Sequence, residues 1–128
     1  MDLNYAVKDA VDFSNALRAS AGNYFGASKT NIKLFHTDYA DTSNWPTKYN
    51  IQQTLREFGR KASAQDYLLL YFSGHGMNYG QPDEDFYYLT AMATDQIEDD
   101  KTRNQHMVSS TELTHLIRQV PALKQVLI

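Results

Sequence analysis

Asp66-Tyr-Leu-Leu-Leu-Tyr-Phe-Ser-Gly-His-Gly76 decides the fold of this 128-residue chain. Tyr67 to Phe72 is an unbroken apolar and aromatic run. Its length suits a strand buried on both faces, the usual state of a strand inside a parallel sheet. The run empties into Ser73-Gly74-His75-Gly76. There the missing side chains let the backbone turn sharply and let another group approach closely. Open α/β sheets bind their ligands beyond the carboxyl ends of the strands. That position makes His75 the expected first half of a catalytic pair.

Working outward, helical and strand patterns alternate. Before the run, Leu3, Ala6, Val7, Ala10, Phe13, Leu17 and Ala21 follow the spacing of one buried helix face, with Asp2 placed to cap it and Gly22 and Gly26 to break it. Asn31 to His36 reads as a short strand and Asp38 to Trp45 as a polar loop. Pro46 and Thr47 open a second helix with Ile51, Leu55, Phe58 and Ala62 on its stripe. After the run, Phe86 to Thr90 reads as a short strand or hairpin arm, and Gln96 to Gln105 as a charged, mobile loop. Ser109-Ser-Thr-Glu112 fits a capping box that starts a third helix with Leu113, Leu116, Ile117 and Val120 buried. Pro121 closes it, and Ala122 to Ile128 reads as a second buried strand. Strands separated by helical patterns predict crossover units, an α/β class and a mostly parallel sheet.

A chain of this length is expected to form one domain with a real core. The hydrophobic fraction of 42% and charged fraction of 21% are those of a globular protein. A net charge of −3 leaves no basic excess to neutralise phosphates, which argues against nucleic acid as a partner. No apolar run is as long as a membrane span and no leader pattern is present, so the expectation is a cytoplasmic protein without a membrane partner. The chain contains no cysteine, which excludes disulfides and cysteine metal sites. His36, His106 and His115 lack metal-ligand spacing, and His106 and His115 are expected on the surface. Trp45 and the nine tyrosines read as packing and rim residues. Both ends read as cuts. The first helix begins with no strand before it, and the last strand stops at its most apolar point, so a fragment is expected.

The histidine stretch resembles the histidine motif of the caspase-like cysteine peptidases, especially metacaspases and their bacterial relatives. Leu3-Asn-Tyr-Ala-Val-Lys-Asp-Ala10 is similar to their first helix, and Ala122 to Ile128 to the strand that leads into an Asp-x-Cys nucleophile motif. The resemblance covers nearly the whole chain. It implies a three-layer α/β sandwich with a mostly parallel sheet, the caspase-haemoglobinase fold, represented in part by residues 1–128 as its large-subunit region. The family's first strand would be missing, leaving a gap in the sheet, and the cysteine would lie two or three residues beyond Ile128.

The residue types suit that chemistry. A thiolate is the nucleophile, and an imidazole titrating near neutrality can hold it as an ion pair and later protonate the leaving amine. The resemblance implies His75 as this general acid/base and the Gly76 backbone N–H as one oxyanion donor. It also implies substrate contacts. The arginine that animal caspases use to receive an acidic P1 side chain is matched by Leu3. The aspartate and serine with which metacaspases hold arginine or lysine are matched by Asp9 and Ser73. Cleavage of a polypeptide after Arg or Lys is thus expected over cleavage after Asp. The acidic pair with which metacaspases bind calcium is matched by Ser109 and Ser110. Asp83, Glu84, Asp85, Asp95, Glu98, Asp99 and Asp100 do not follow the spacing of a calcium loop, so no cofactor is expected. Further partners would be the missing remainder of the peptidase domain or accessory domains.

Each site residue also has a bland reading: Asp9 as a solvated helix charge, Ser73 as a small loop residue, His75 as a turn residue. Two other functions stay open. One is a caspase-like module without a nucleophile that binds or regulates. The other is an unrelated α/β domain, disfavoured because no glycine-rich phosphate loop follows a strand.

Overall fold

The computed structural model describes residues 4–78, 85–93 and 99–128. It forms two compact units, Met1–Trp45 and Pro46–Ile128. Asp2, Leu3, Asp83, Glu84, Asp95 and Glu98 lie outside the described residues.

The first unit is led by helix α1, Asn4–Phe25. Its expected stripe is the half-buried one, and Ser14 beside it is buried. The helix does not break at Gly22. One glycine costs a helix only about 1 kcal/mol, and α1 runs through it to Phe25. It ends at Gly26, whose φ of 95° is hard for any residue with a side chain and whose N–H still bonds the Gly22 carbonyl at 3.0 Å.

The strand expected over Asn31 to His36 is not formed. Strands exist through their ladders, and among the described residues nothing pairs with this one. The segment folds into a closed loop instead. His36 N–H donates to the Asn44 carbonyl (3.2 Å), Lys33 Nζ to Asn44 Oδ1 (2.9 Å) and the Trp45 indole to the Tyr39 carbonyl (2.7 Å). The His36 and Tyr39 rings stack at 3.8 Å. The Asp41 carboxylate accepts from Ser43 N–H and caps a short 3₁₀ turn, Thr42–Asn44.

The second unit begins with helix α2, Lys48–Lys61, which Pro46 and Thr47 precede rather than open, Thr47 capping it through its hydroxyl on Asn50 N–H (3.1 Å). Strand β1, Tyr67–Leu70, pairs in parallel with β5, Lys124–Leu127, with Tyr67 opposite Lys124 and Leu70 opposite Leu127. Strands β2, Gly76–Met77, β3, Tyr87–Leu89, and β4, Met107–Ser109, form an antiparallel sheet in the order β2-β3-β4. The expected mostly parallel sheet is therefore confined to β1 and β5. The remaining three strands are joined edge to edge as antiparallel neighbours, which needs no helical crossover.

Helix α3, Asp100–His106, occupies most of the stretch expected to be a loop. The Asp99 carboxylate caps it through Thr102 N–H (2.9 Å) and Thr102 Oγ1 (2.6 Å). Helix α4, Ser110–Arg118, has the expected Ser109 cap on Glu112 N–H (3.1 Å). The Glu112 carboxylate is engaged elsewhere, by Gln52 and by Lys48. Lys48 also donates to the Asn104 carbonyl at 2.6 Å, so one ammonium group joins α2, α3 and α4.

The core packs Ile51 and Leu55 of α2 against Val108, Leu113 and Leu116, with Leu70, Phe72, Tyr88 and Ile117 at its fringe. The two strands expected to be buried are not. In β1 only Leu68 is fully covered, at 6%, while Tyr67 is 54% exposed. Every residue of β5 is exposed. Apolar character marks what burial would favour. It does not supply a covering layer.

Candidate active site

The histidine segment is a short bridge between two sheets. β1 ends at Leu70, but its ladder continues. Ile128 N–H donates to the Leu70 carbonyl and Phe72 N–H to the Ile128 carbonyl, both at 2.9 Å. The parallel strands thus finish level, one residue pair beyond their formal ends. Half-buried Ser73 and exposed Gly74 follow, and His75 stands exposed where β2 begins.

The backbone here is fixed from the other side. His75 C=O accepts from Leu89 N–H at 3.0 Å, and Gly76 lies directly opposite Tyr88. The bond beside this pair runs between its neighbours, which makes Gly76–Tyr88 a non-hydrogen-bonded pair whose N–H groups point away from the partner strand. β2 is the outer strand of its sheet among the described residues. The Gly76 N–H is therefore aimed off the sheet edge, on the side away from β3.

The glycines are needed for a reason other than the expected one. Neither Gly74 nor Gly76 has a positive φ. A Cβ at Gly74 would meet nothing within 4 Å, whereas one at Gly76 would lie 2.0 Å from Cζ of Phe86. Only at Gly76 would a side chain displace a neighbour, the Phe86 ring. Sequence reasoning missed Phe86. The available signal was the alternation Phe86-Tyr87-Tyr88, which turns residues 86 and 88 to the same face as position 76.

Asp85 was a second omission as a structural residue. Its carboxylate accepts from Thr111 Oγ1 (2.6 Å), Ser110 Oγ (3.0 Å) and Thr111 N–H (3.3 Å) at the start of α4. The Thr111 hydroxyl, aided by Ser110 and the Thr111 amide, holds this carboxyl below its ordinary pKa. Ser110, expected only as a missing calcium ligand, is thus part of a latch. Ser109 serves as the α4 cap.

Ser73, His75 and Gly76 belong to the second unit and are joined by chain continuity. Asp9 belongs to the first unit, exposed on α1 one residue from the Lys8–Asp12 ion pair. His115 is exposed as expected and bonds Gln119 at 2.9 Å. His106 is half-buried rather than on the surface, and its carbonyl accepts the Thr90 hydroxyl. No group of three or more His, Cys, Asp or Glu side chains among the described residues is arranged to hold a metal ion. No helix among them is long and apolar enough to cross a membrane.

Among known proteins, the family model described as metacaspase, peptidase C14 domain, matches residues 1–128. No curated protein and no solved structure matched the sequence. With the match spanning every residue from the first helix through the histidine segment to β5, this chain belongs to the metacaspase, peptidase C14 domain family of cysteine peptidases.

Proposed function

We propose that the chain is part of a caspase-like endopeptidase in which His75 is the general acid/base and a cysteine just beyond Ile128 is the nucleophile. The observation that carries this reading is the level finish of β1 and β5, with His75 four residues past Tyr71 on the strand beside Ile128. A thiolate held by the imidazolium attacks the scissile carbonyl carbon. The carbonyl π electrons move to oxygen, where the N–H of Gly76 and that of the cysteine receive the negative charge. Collapse expels the amine, which takes its proton from His75. Water, deprotonated by His75, then attacks the thioester, and the acid product and thiolate leave.

In this reading Asp9 and Ser73 receive a basic P1 side chain, so cleavage follows Arg or Lys rather than Asp. The substrate is a polypeptide, the protein is cytoplasmic, and no calcium is required. Residues 1–128 form part of a three-layer α/β domain, completed by the remainder of the peptidase domain or by accessory domains.

The experiment restores the segments on both sides and measures amidase activity on arginyl, lysyl and aspartyl reporter peptides, with and without His75→Ala. Activity on the basic reporters that His75→Ala abolishes is expected, together with no turnover by the 128-residue chain, which has no thiol. Turnover by that chain, or activity indifferent to His75, sinks the reading.

The alternative reading is a caspase-like binding or regulatory module in which the nucleophile position holds another residue. Translating the reading frame past the Ile128 codon separates the two. Asp-x-Cys supports the peptidase, and a stop codon or another residue in the cysteine position supports the module.

A further inference from the structure

We infer that Phe86 is a positioning residue for the Gly76 amide, an inference that rests on the reading of Gly76 as an oxyanion donor. Gly76 faces Tyr88 across the β2–β3 ladder. Phe86, two residues before Tyr88, projects on the same face as the side chain that Gly76 lacks. Its ring occupies that space. A Cβ at Gly76 would stand 2.0 Å from Cζ and 2.3 Å from Cε1 of the ring. A cross-strand aromatic laid over a strand glycine restores the packing the glycine gives up.

The ring, 41% exposed, is packed on one side, and its backbone is fixed. It meets Tyr88 edge-on at 5.1 Å, and Tyr88 lies 5.1 Å from Phe72 at the core fringe. Both backbone polar groups of Phe86 bond Ser110: its carbonyl accepts from Ser110 N–H at 2.8 Å, and its N–H donates to Ser110 Oγ at 3.3 Å. Asp85, one residue earlier, is latched to Ser110 and Thr111. The start of α4 therefore fixes Phe86, and Phe86 covers one face of Gly76.

The direction of that contact is what matters. The ring covers the Cα, while the Gly76 N–H lies in the ladder plane and points off the opposite edge of β2. Glycine has more backbone freedom than any other residue. The ring removes part of that freedom without occupying the donor. Oxyanion donors act by being aimed before charge develops, so a rocking 75–76 peptide would lose rate rather than substrate binding. His75 shares that peptide and would move with it. Simple surface packing by Phe86 would predict a change in stability and no kinetic signature.

Two readouts test this. In the 128-residue chain, proton NMR should find the Gly76 Hα resonances displaced by the ring current. Phe86→Leu should abolish the displacement and Phe86→Tyr should keep it. In the full-length protein bearing the nucleophile, Phe86→Leu should lower kcat about tenfold with KM within about twofold, and Phe86→Tyr should restore kcat. Gly76 resonances indifferent to Phe86→Leu overturn the inference, as does a Phe86→Leu enzyme whose kcat is unchanged or whose loss lies in KM. A wild-type full-length protein without peptidase activity overturns the donor reading, and the inference with it. The ring shift still reports the packing separately, so the two failures are told apart.

Discussion

At the scale of single residues, the two glycines around His75 look equivalent in sequence and are not. Gly74 has open space and an ordinary φ, so Gly74→Ala is expected to change stability by no more than about 0.5 kcal/mol. Gly76→Ala puts a methyl where the Phe86 ring lies. That ring is 41% exposed and can swing aside, so the loss should exceed that at Gly74 but stay at about 1 kcal/mol, the low end for overpacking. Denaturant melts of the two variants check this, and equal losses would contradict the contact. Removing the ring first, as Phe86→Ala, should make the Gly76→Ala loss smaller than its value in the wild-type background. The position of His75 just past a strand was legible, because an apolar run ending at a glycine-flanked histidine is a local pattern. The steric conflict at Gly76 was not, since it comes from a residue ten positions later across a ladder.

Asp85 also acts at this scale. Its folded pKa is depressed, so the stability it contributes is present above the ordinary Asp value near pH 4 and is lost as pH falls through the folded value. Asp41, held down by the Ser43 amide, has the same sign. Asp85→Asn should therefore flatten part of the decline in stability below about pH 4 and leave the Asp41 part. Melting temperatures measured from pH 5 downward read this, and a variant with an unchanged acid profile would count against the latch.

At the scale of elements, helices were read well where local chemistry decides them. Thr47 and Ser109 cap α2 and α4, and Ile51, Leu55, Leu113, Leu116 and Val120 are buried. The break at Gly22 was misplaced because propensity is a small term against 22 residues of continuous helix. Two opposite outcomes follow. Gly22→Ala should stabilise α1 by up to about 1 kcal/mol. Gly26→Ala should cost about 1–3 kcal/mol, because only glycine accepts its backbone angles readily. Circular dichroism melts decide the signs. The segment from Asn31 to His36 was misread because its alternation is local while a strand needs a partner. The loop it forms is held by Asn44 and Trp45, which no periodicity reveals.

At the scale of the molecule, the alternation of helical and strand patterns indicated an α/β protein, and the pairing of β1 with β5 agrees with that order of elements. Burial of those strands was not legible. Tyr67, Leu123, Val126, Leu127 and Ile128 are all exposed on this one pair. Exposed apolar strands invite pairing with other chains. The 128-residue chain should therefore self-associate as its concentration rises, and Val126→Lys should shift it toward monomer. Sedimentation measures both, and a monomer at all concentrations would contradict the exposure.

One feature of the second unit also has a bearing on chemical reactivity. The Lys48 ammonium joins three helices and is only 17% exposed, with protons directed at Glu112 and Asn104. An amine must be reachable and deprotonated to be acylated, so Lys48 should label far more slowly than Lys29 or Lys124, which lie exposed. Unfolding α2 or α4 would release it. Acylation of Lys48, read by mass spectrometry of the intact fold, becomes a clock for the opening of the second unit, one that needs neither a nucleophile nor a substrate.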